Sequence, residues 1–145
     1  MMRKSLLATA VSMCLAASAA AQPSVDSFDA AGASSEIVNL LAQRNVDGAA
    51  AAAAQLMPGT TADKLKDAFQ LARGFGQSQY TDIVYERDYG KTEKDLIYKI
   101  DYDKAFMYVR FLYHVDNGAW RLIHIYLKTE NDLPFPRDWT HIYPQ

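Results

Sequence analysis

Cysteine is almost absent from this chain, because Cys14 is the only one among 145 residues. It lies within an N-terminal segment that has the pattern of a cleavable signal, so we expect the mature chain to contain no cysteine. That composition excludes a disulfide framework, a thiolate nucleophile and a cysteine metal site. We therefore expect packing alone to hold the mature domain together.

Long hydrophobic runs are also missing. The apolar stretch from Leu6 to Ala17 has about a dozen residues, whereas a membrane-spanning helix needs about 20. It follows the basic segment at residues 1–4 and precedes Ala19-Ala20-Ala21, small residues that suit signal-peptidase cleavage. We predict a secretory signal peptide over residues 1–21, a mature chain without a membrane anchor, and a periplasmic or secreted location.

Positive charge shows no clustering along the chain. The formal net charge is −2, and loss of Arg3 and Lys4 with the signal would bring it to −4. Nucleic acid and anionic membrane surfaces both require a basic patch, so we expect neither to be the main partner. Removing 21 residues from 145 leaves 124, which is the size of one ordinary domain.

Motifs for catalysis, cofactors and metals are likewise missing. No pair of histidines has the His-x-x-x-His spacing, and the segment Gly74-Phe75-Gly76-Gln77-Ser78 matches neither a nucleophile elbow nor a phosphate loop. In the four-stranded sheet that the later residues predict, His114 and His124 lie roughly 13 Å apart, too far to share an ion. We predict no catalytic residue, no cofactor and no metal site.

Three short helices are predicted before residue 77. Residues 22–33 lack periodicity and are predicted to form a flexible lead-in. The alanine run at residues 49–54 is either a linker or a thin helix, and the high helix propensity of alanine favours the helix. The predicted limits are Ser34 or Ser35 (N-cap) to Arg44, Asp47 (cap) to Leu56, and Thr60 or Thr61 (cap) to Gly74 or Gly76, the last with Leu65, Ala68, Phe69, Leu71 and Ala72 on its apolar stripe.

After Gln77 the hydrophobic period changes from 3.6 to two, which indicates strands. We predict an α+β domain over residues 34–129, with short N-terminal helices packed on a curved four-stranded antiparallel meander. The tail over residues 130–145 contains three prolines and cannot extend the sheet centrally, so we expect it to pack on the domain. The predicted strands are Tyr80–Tyr89, Asp95–Tyr102, Ala105–Val115 and Trp120–Thr129.

The turn at Asp116-Asn117-Gly118 leaves two registers open. A two-residue type I′ turn would pair Val109 with Tyr126 and mix polar with aliphatic side chains on both faces. A three-residue loop would instead pair Met107 with Leu127, Val109 with Ile125 and Phe111 with Ile123. We favour the second register because it gives one clean aliphatic face for the helices.

A four-residue loop at Asp101 to Lys104 would add three residues of the second strand, Leu96, Tyr98 and Ile100, to the aliphatic face. The opposite face would then carry most of the polar and aromatic side chains. Its predicted members are Asp95, Ile97, Lys99, Phe106, Tyr108, Arg110, Leu112, His114, Trp120, Leu122, His124 and Tyr126.

This layout, together with the closing hairpin Asn117-Gly118-Ala119-Trp120-Arg121-Leu122, resembles the nuclear-transport-factor-like (cystatin-like) α+β cone superfamily. The resemblance covers roughly residues 34–129 and implies a sheet that wraps around a helix. It further implies a small-ligand binder, an isomerase or hydratase, or a protein without known activity, and dimers that pair sheet to sheet. The Gln-x-Val-x-Gly loop of cystatin protease inhibitors does not occur here, so that activity is not implied.

The favoured register places Asp95, Arg110 and His124 in one row across three strands, with Tyr108 and Tyr126 beside them. A carboxylate, a guanidinium and an imidazole in an aromatic cup could bind an anion, polarise a carbonyl or move a proton. The alternative is a structural ion pair that lets Arg110 lie across a partly buried face, with His124 as filler. We therefore predict that Arg110 pairs with Asp95, meets a ligand anion or reaches water.

The aromatic stripe of Phe106, Tyr108, Trp120 and Tyr126 has three interpretations: a ligand pocket, a homodimer interface through the sheet, or a surface covered by tail aromatics. The candidate ligand-binding residues are Asp95, Tyr108, Arg110, Trp120, His124 and Tyr126. Our first hypothesis is a non-catalytic binding or interaction domain whose partner is a small molecule or an envelope protein. The second is a small cofactor-free enzyme of isomerase or hydratase type that uses Asp95, Arg110 and His124.

Overall fold

The structure, a computed structural model, describes residues 27–129. The predicted signal peptide at residues 1–21 and the predicted tail at residues 130–145 lie outside the described residues. Three helices and a four-stranded antiparallel sheet make up the described part, which confirms the predicted α+β class. No helix among residues 27–129 is long and apolar enough to cross a membrane.

The first helix, α1 (Ala30–Ala42), begins earlier than its apolar stripe suggests. Asp29 is its N-cap, and the Asp29 side chain accepts a hydrogen bond of 2.8 Å from the backbone N–H of Gly32. The predicted caps Ser34 and Ser35 are therefore wrong, and residues 30–33 of the predicted lead-in are helical. A capping carboxylate sets the start of a helix because it accepts hydrogen bonds from the unpaired N–H groups of the first turn. The helix can therefore begin a turn before its first apolar residues.

The second helix, α2 (Val46–Leu56), confirms the helical interpretation of the alanine run, but Asn45 rather than Asp47 caps it. Helix α3 (Ala62–Phe69) begins after Thr61, as predicted, and gives way to a 3-10 turn over Gln70–Gly74. A 3-10 turn has 3.0 residues per turn instead of 3.6, so the apolar stripe loses its phase. Leu71 is accordingly 43% exposed, where the stripe predicted burial.

The sheet has the order β1-β2-β3-β4 with antiparallel neighbours, as the predicted meander requires. Register irregularities interrupt β1 near Val84 and β4 at Ile123. Such bulges insert a residue and bend the strand locally. The strands are β1 (Ser78–Tyr89), β2 (Glu93–Tyr102), β3 (Phe106–Asp116) and β4 (Ala119–Thr129).

The pairing of β2 with β3 keeps the predicted faces although the loop between them is shorter. Leu96 lies opposite Phe111, Tyr98 opposite Val109, and Ile100 opposite Met107. The ladder continues to Asp101 opposite Phe106, so the loop closes more tightly than expected and the register slides by two positions. Because side chains alternate with a period of two, an even shift leaves every side chain on its predicted face.

The pairing of β3 with β4 differs from both registers considered from the sequence. At the tip, Asn117 and Gly118 have φ of 50° and 76°, as a two-residue type I′ turn requires, and Tyr113 lies opposite Leu122. Ile123 is then bulged out, and beyond it Phe111 lies opposite Ile125 and Val109 opposite Leu127. The favoured pairs are therefore wrong, but the bulge restores an aliphatic face below it.

The helices cover one face of the sheet, and we call the other the outer face. Three buried tyrosines anchor the helix layer to the sheet: the Tyr98 and Tyr102 hydroxyls donate to the carbonyls of Ala31 and Leu41, and the Tyr113 hydroxyl lies 2.8 Å from the Ser34 Oγ. Burial raises the pKa of each of these phenols, to about 12 for Tyr98 and Tyr102. The outer face carries Tyr85, Arg87, Tyr89, Glu93, Asp95, Ile97, Lys99, Phe106, Tyr108, Arg110, Leu112, His114, His124, Tyr126 and Lys128.

We expect Gly118→Ala to lower the free energy of unfolding by about 1 kcal/mol, because a side chain is disfavoured at positive φ. Chemical denaturation of both proteins measures this difference. Gly74→Ala is the matched control, since a new Cβ at either site meets no atom within 4 Å and Gly74 does not have a positive φ. Equal stability of the Gly118 variant and the parent would contradict the type I′ turn.

Candidate functional site

The centre of the outer face is an ion pair between Asp95 on β2 and Arg110 on β3. The Arg110 Nε donates to one carboxylate oxygen of Asp95 at 2.8 Å, and the Arg110 Nη2 donates to the other at 2.6 Å. Asp95 is 1% exposed and Arg110 3% exposed. This two-pronged geometry satisfies both carboxylate oxygens at once, and of the three alternatives predicted for Arg110 the structure shows the pairing with Asp95.

The predicted row of Asp95, Arg110 and His124 is wrong. Asp95 lies opposite Leu112, which in turn lies opposite His124, whereas Arg110 lies opposite Ile97 and Tyr126. The shorter β2–β3 loop shifts one register by two positions relative to the favoured one, and the two-residue turn at Asn117-Gly118 together with the bulge at Ile123 shifts the other by two. Arg110 still reaches Asp95 diagonally, but His124 stands two strands from Asp95, roughly 10 Å away between Cα atoms.

His124 is exposed, and its ring lies beside that of Tyr126, with centroids 5.4 Å apart. Leu112 separates its backbone position from that of Asp95. The imidazole therefore does not share a site with the carboxylate. The structure brings together two of the three residues that the sequence placed in one row.

Strand β1, next to the ion pair, contributes two tyrosine rings and a second arginine to the outer face. Arg87 lies directly opposite Asp95, and its guanidinium carbon is 4.8 Å from the centroid of the Tyr89 ring. The Tyr89 hydroxyl is 3.1 Å from the Tyr85 hydroxyl. Burial and this hydrogen bond raise the pKa of Tyr89 to about 12. Tyr89 therefore stays a neutral phenol at physiological pH and contributes an apolar ring with a polar edge.

Tyr108 and Tyr126 lie on the outer face, as predicted. The Arg110 guanidinium carbon is 6.0 Å from the centroid of the Tyr126 ring, and Tyr126 is 43% exposed. Tyr108 packs edge to face against Phe106 with centroids 5.5 Å apart. These rings give the outer face an aromatic surface on either side of a charge pair that is already neutralised.

Trp120 is the predicted site residue that the structure moves to the other side. It is 5% exposed on the helix face, where its ring stacks on Phe28 at 6.1 Å and the Lys94 ammonium lies 5.5 Å from its centroid. Leu122 moves with it and is buried. Both residues precede the bulge at Ile123, and one inserted residue exchanges the faces of everything on one side of it.

Two of the cavities that described residues line lie away from the predicted site. One, of about 250 Å³, lies between the turn after α2 and the β3–β4 hairpin, and the other, of about 300 Å³, lies beside the end of α1. Asp95, Arg110 and His124 line neither of them. Within residues 27–129, no three His, Cys, Asp or Glu side chains gather closely enough to hold a metal ion.

Sequence reasoning missed the β1 contribution to this site. The pattern predicts a strand over Tyr85, Arg87 and Tyr89 but assigns these residues to no face, because it leaves the register of β1 with β2 open. The bulge near Val84 would defeat simple alternation, since it places Tyr85 and Asp82 on the same face three residues apart. Counting the register outward from the hairpin turn at residues 90–92 would have placed Arg87 opposite Asp95 and shown this contribution.

The comparisons with known proteins address the fold and not the site. No protein-family model matches the chain, and no curated protein matches it. A search of solved structures finds an NTF2-like protein of unknown function from Cytophaga hutchinsonii ATCC 33406, which is 14% identical, with a TM-score of 0.40. The match covers 79% of this chain and 96% of that one. It concerns the arrangement of helices and strands alone.

The chemistry open to this arrangement is recognition more than proton transfer. Both oxygens of Asp95 are bound by Arg110, so accepting a proton from a substrate would require breaking a buried ion pair. Tyr89 is a neutral phenol, and His124 stands apart. The outer face therefore presents partly exposed aromatic rings around an ion pair whose two charges neutralise each other.

Proposed function

We propose that this chain is an exported, non-catalytic interaction domain whose contact surface is the outer face around the Asp95–Arg110 pair. The observation that carries the proposal is a fully buried, two-pronged ion pair on the sheet face that no described helix covers. Export rests on the predicted signal peptide at residues 1–21. The NTF2-like layout is compatible with a binding role.

The shape of the face favours a polypeptide partner over a small molecule. Small-molecule sites are concave and enclose most of the ligand. The outer face instead extends across four strands and presents aromatic rings such as Tyr126. Tyrosine is enriched among the residues that dominate protein interfaces, because its ring buries much area at little entropic cost.

The enzyme hypothesis requires Asp95, Arg110 and His124 to converge on one substrate. Their separation by Leu112 and the mutual engagement of Asp95 and Arg110 do not favour it. A small-molecule binder or a homodimer through the sheet would use the same face. Cross-linking from this face distinguishes these two alternatives from binding of another protein.

The test places a photoreactive residue at position 126 in the exporting organism, with position 71 as its control. Tyr126 and Leu71 are both 43% exposed, but Leu71 belongs to the helix layer. We expect a discrete protein adduct from position 126 and none from position 71. The identified partner should then bind Tyr126→Ala about tenfold or more weakly and Leu71→Ala unchanged. Equal binding of both variants would refute the proposal, and an adduct of two copies would indicate the homodimer.

A further inference from the structure

Strand β1 forms one edge of the sheet and is accessible along its whole length. It has twelve residues, pairs with β2 alone among the described strands, and contains no buried residue. Three of its apolar residues are strongly exposed: Tyr80 by 58%, Ile83 by 44% and Val84 by 46%. Apolar side chains that lie close together and remain uncovered mark a surface for a partner.

The free edge of β1 also presents backbone groups. In an antiparallel sheet, every second residue of an edge strand directs its N–H and C=O groups away from the sheet, where another strand can bind them. Proteins often protect such edges with proline, with lysine or by keeping the strand short. Residues 78–89 contain neither proline nor lysine, and a strand of twelve residues is about twice the usual length. Strand β1 is therefore suited to pair with an added strand.

The bulge near Val84 brings two opposite charges to one face of β1. Asp82 lies opposite Lys99 on the outer face. Arg87 lies opposite Asp95, on the outer face as well. The separation of five positions between Asp82 and Arg87 is odd, so a regular strand would put them on opposite faces, and the inserted residue corrects this. Because Lys99 and Asp95 share one face of β2, their partners on β1 also direct their backbone N–H groups the same way.

Asp82 and Arg87 are both exposed, and neither forms an ion pair with another of residues 27–129. Lys99, which lies opposite Asp82, is paired with Asp101 at 2.7 Å. The Arg87 guanidinium lies over the ring of Tyr89. Both charges are therefore available to a strand that pairs with the free edge.

We propose that β1 pairs antiparallel with β1 of a second copy, so that two four-stranded sheets become one sheet of eight strands. A two-fold axis makes every contact of such a pair reciprocal. In the register that places Asp82 of each copy opposite Arg87 of the other, two ion pairs form across the new edge. The inference goes beyond the proposed function and does not depend on it, because it concerns the edge of the sheet and not a partner on the outer face.

Charge and face together select this register over its two neighbours. A shift by one position places Asp82 opposite Glu86 in one direction and opposite Asp88 in the other. Like charges directly opposite each other destabilise a sheet. Glu86 and Asp88 lie opposite Leu96 and Lys94, on the helix face, so either shift would also pair residues of different faces.

Sedimentation equilibrium of the purified full chain tests the pairing over about 1 to 100 μM, the range of modest non-covalent affinities. We expect an equilibrium between monomer and dimer. Asp82→Lys should weaken dimerisation at least about tenfold, because both ion pairs become contacts between two cations. Asp63→Lys is the matched control: it makes the same change of charge at a side chain of α3 that is 92% exposed, and it should leave the equilibrium unchanged.

A mixture of two variants tests the register itself. Arg87→Glu alone should weaken dimerisation as Asp82→Lys does, since it places two anions opposite each other. Mixed together, the two variants should form a heterodimer about as stable as the parent dimer, because every contact again joins opposite charges. Circular dichroism checks that each variant is folded, and if Arg87→Glu is not, the comparison of Asp82→Lys with Asp63→Lys decides.

Three results would overturn the inference: a parent chain that stays monomeric over the whole range, an Asp82→Lys variant that dimerises like the parent, or a mixture of folded variants that stays monomeric. None of them bears on the proposed function. The cross-linking position Tyr126 lies on β4, at the opposite edge of the sheet.

Discussion

Asp95→Asn is expected to lower the free energy of unfolding by about 3 to 5 kcal/mol, which is the usual effect of removing one member of a buried ion pair. The substitution keeps the shape of the side chain but leaves the Arg110 guanidinium, 3% exposed, without its carboxylate. Water cannot compensate for the lost charge at that depth. Such a loss is a large fraction of the roughly 5–15 kcal/mol that typically stabilises a domain. Urea unfolding followed by circular dichroism measures it.

The control for Asp95→Asn is an ion pair of similar length at the surface. The Lys94 ammonium lies 2.7 Å from the Asp88 carboxylate, and both side chains are partly exposed. Asp88→Asn should change the free energy of unfolding by less than about 1 kcal/mol, because solvent screens exposed pairs. The double variant Asp95→Leu with Arg110→Met should recover much of the lost stability, since apolar replacement of a whole buried pair is often neutral. Similar effects of Asp95→Asn and Asp88→Asn would contradict the buried site.

Phe111→Ala is expected to lower the free energy of unfolding by about 3 to 5 kcal/mol as well, the range for removing a large ring from a core. Phe111 is 0% exposed on β3, where its ring meets that of Tyr98 edge to face at 5.9 Å. Leu96 and Ile125 flank it on the neighbouring strands. The cavity left behind lies between the sheet and the helix layer, where close packing allows little collapse.

Ile123→Ala is the control for the core substitution. Ile123 lies at the bulge of β4, is 40% exposed and is apolar like Phe111. Its truncation removes little buried area, so we expect a loss of less than about 1 kcal/mol. A large effect at Ile123 and a small effect at Phe111 in chemical denaturation would place Phe111 on the wrong face, and the outer-face assignment of Arg110 would fall with it.

The two predictions together test how the side chains of the sheet are assigned to its two faces. Phe111 and Arg110 are sequence neighbours on β3, and alternation sends one to the helices and the other to the outer face. A domain of this size tolerates a buried charge pair only where both partners are satisfied, which the 2.6 and 2.8 Å contacts provide. The apolar core of the helix face and the ion pair of the outer face therefore depend on the same register.

The sequence alone determined the class of the fold, the number of helices and strands, and the faces of β2 and β3. Those features follow from hydrophobic periods and turn residues, which are local properties of the chain. The sequence also placed Asp95 and Arg110 on one face, and it left pairing with Asp95 as one of three ways to satisfy a mid-strand arginine among aromatic residues. A two-residue error in the register did not affect it, since an even shift preserves faces and long side chains reach diagonally.

Only the tertiary structure decided which face of the sheet each residue of β4 occupies, because one inserted residue reverses the alternation of side chains. The bulge at Ile123 sends Trp120 and Leu122 to the helix face while His124 and Tyr126 stay on the outer face. Either register gives a plausible local pattern, and the choice depends on how much apolar surface β4 buries against β3 and the helices together. The 3-10 turn that exposes Leu71 and the Asp29 cap of α1 are similar cases. Period and composition predict which elements form, but packing across the sheet selects the bulges and turns that decide which side each residue faces.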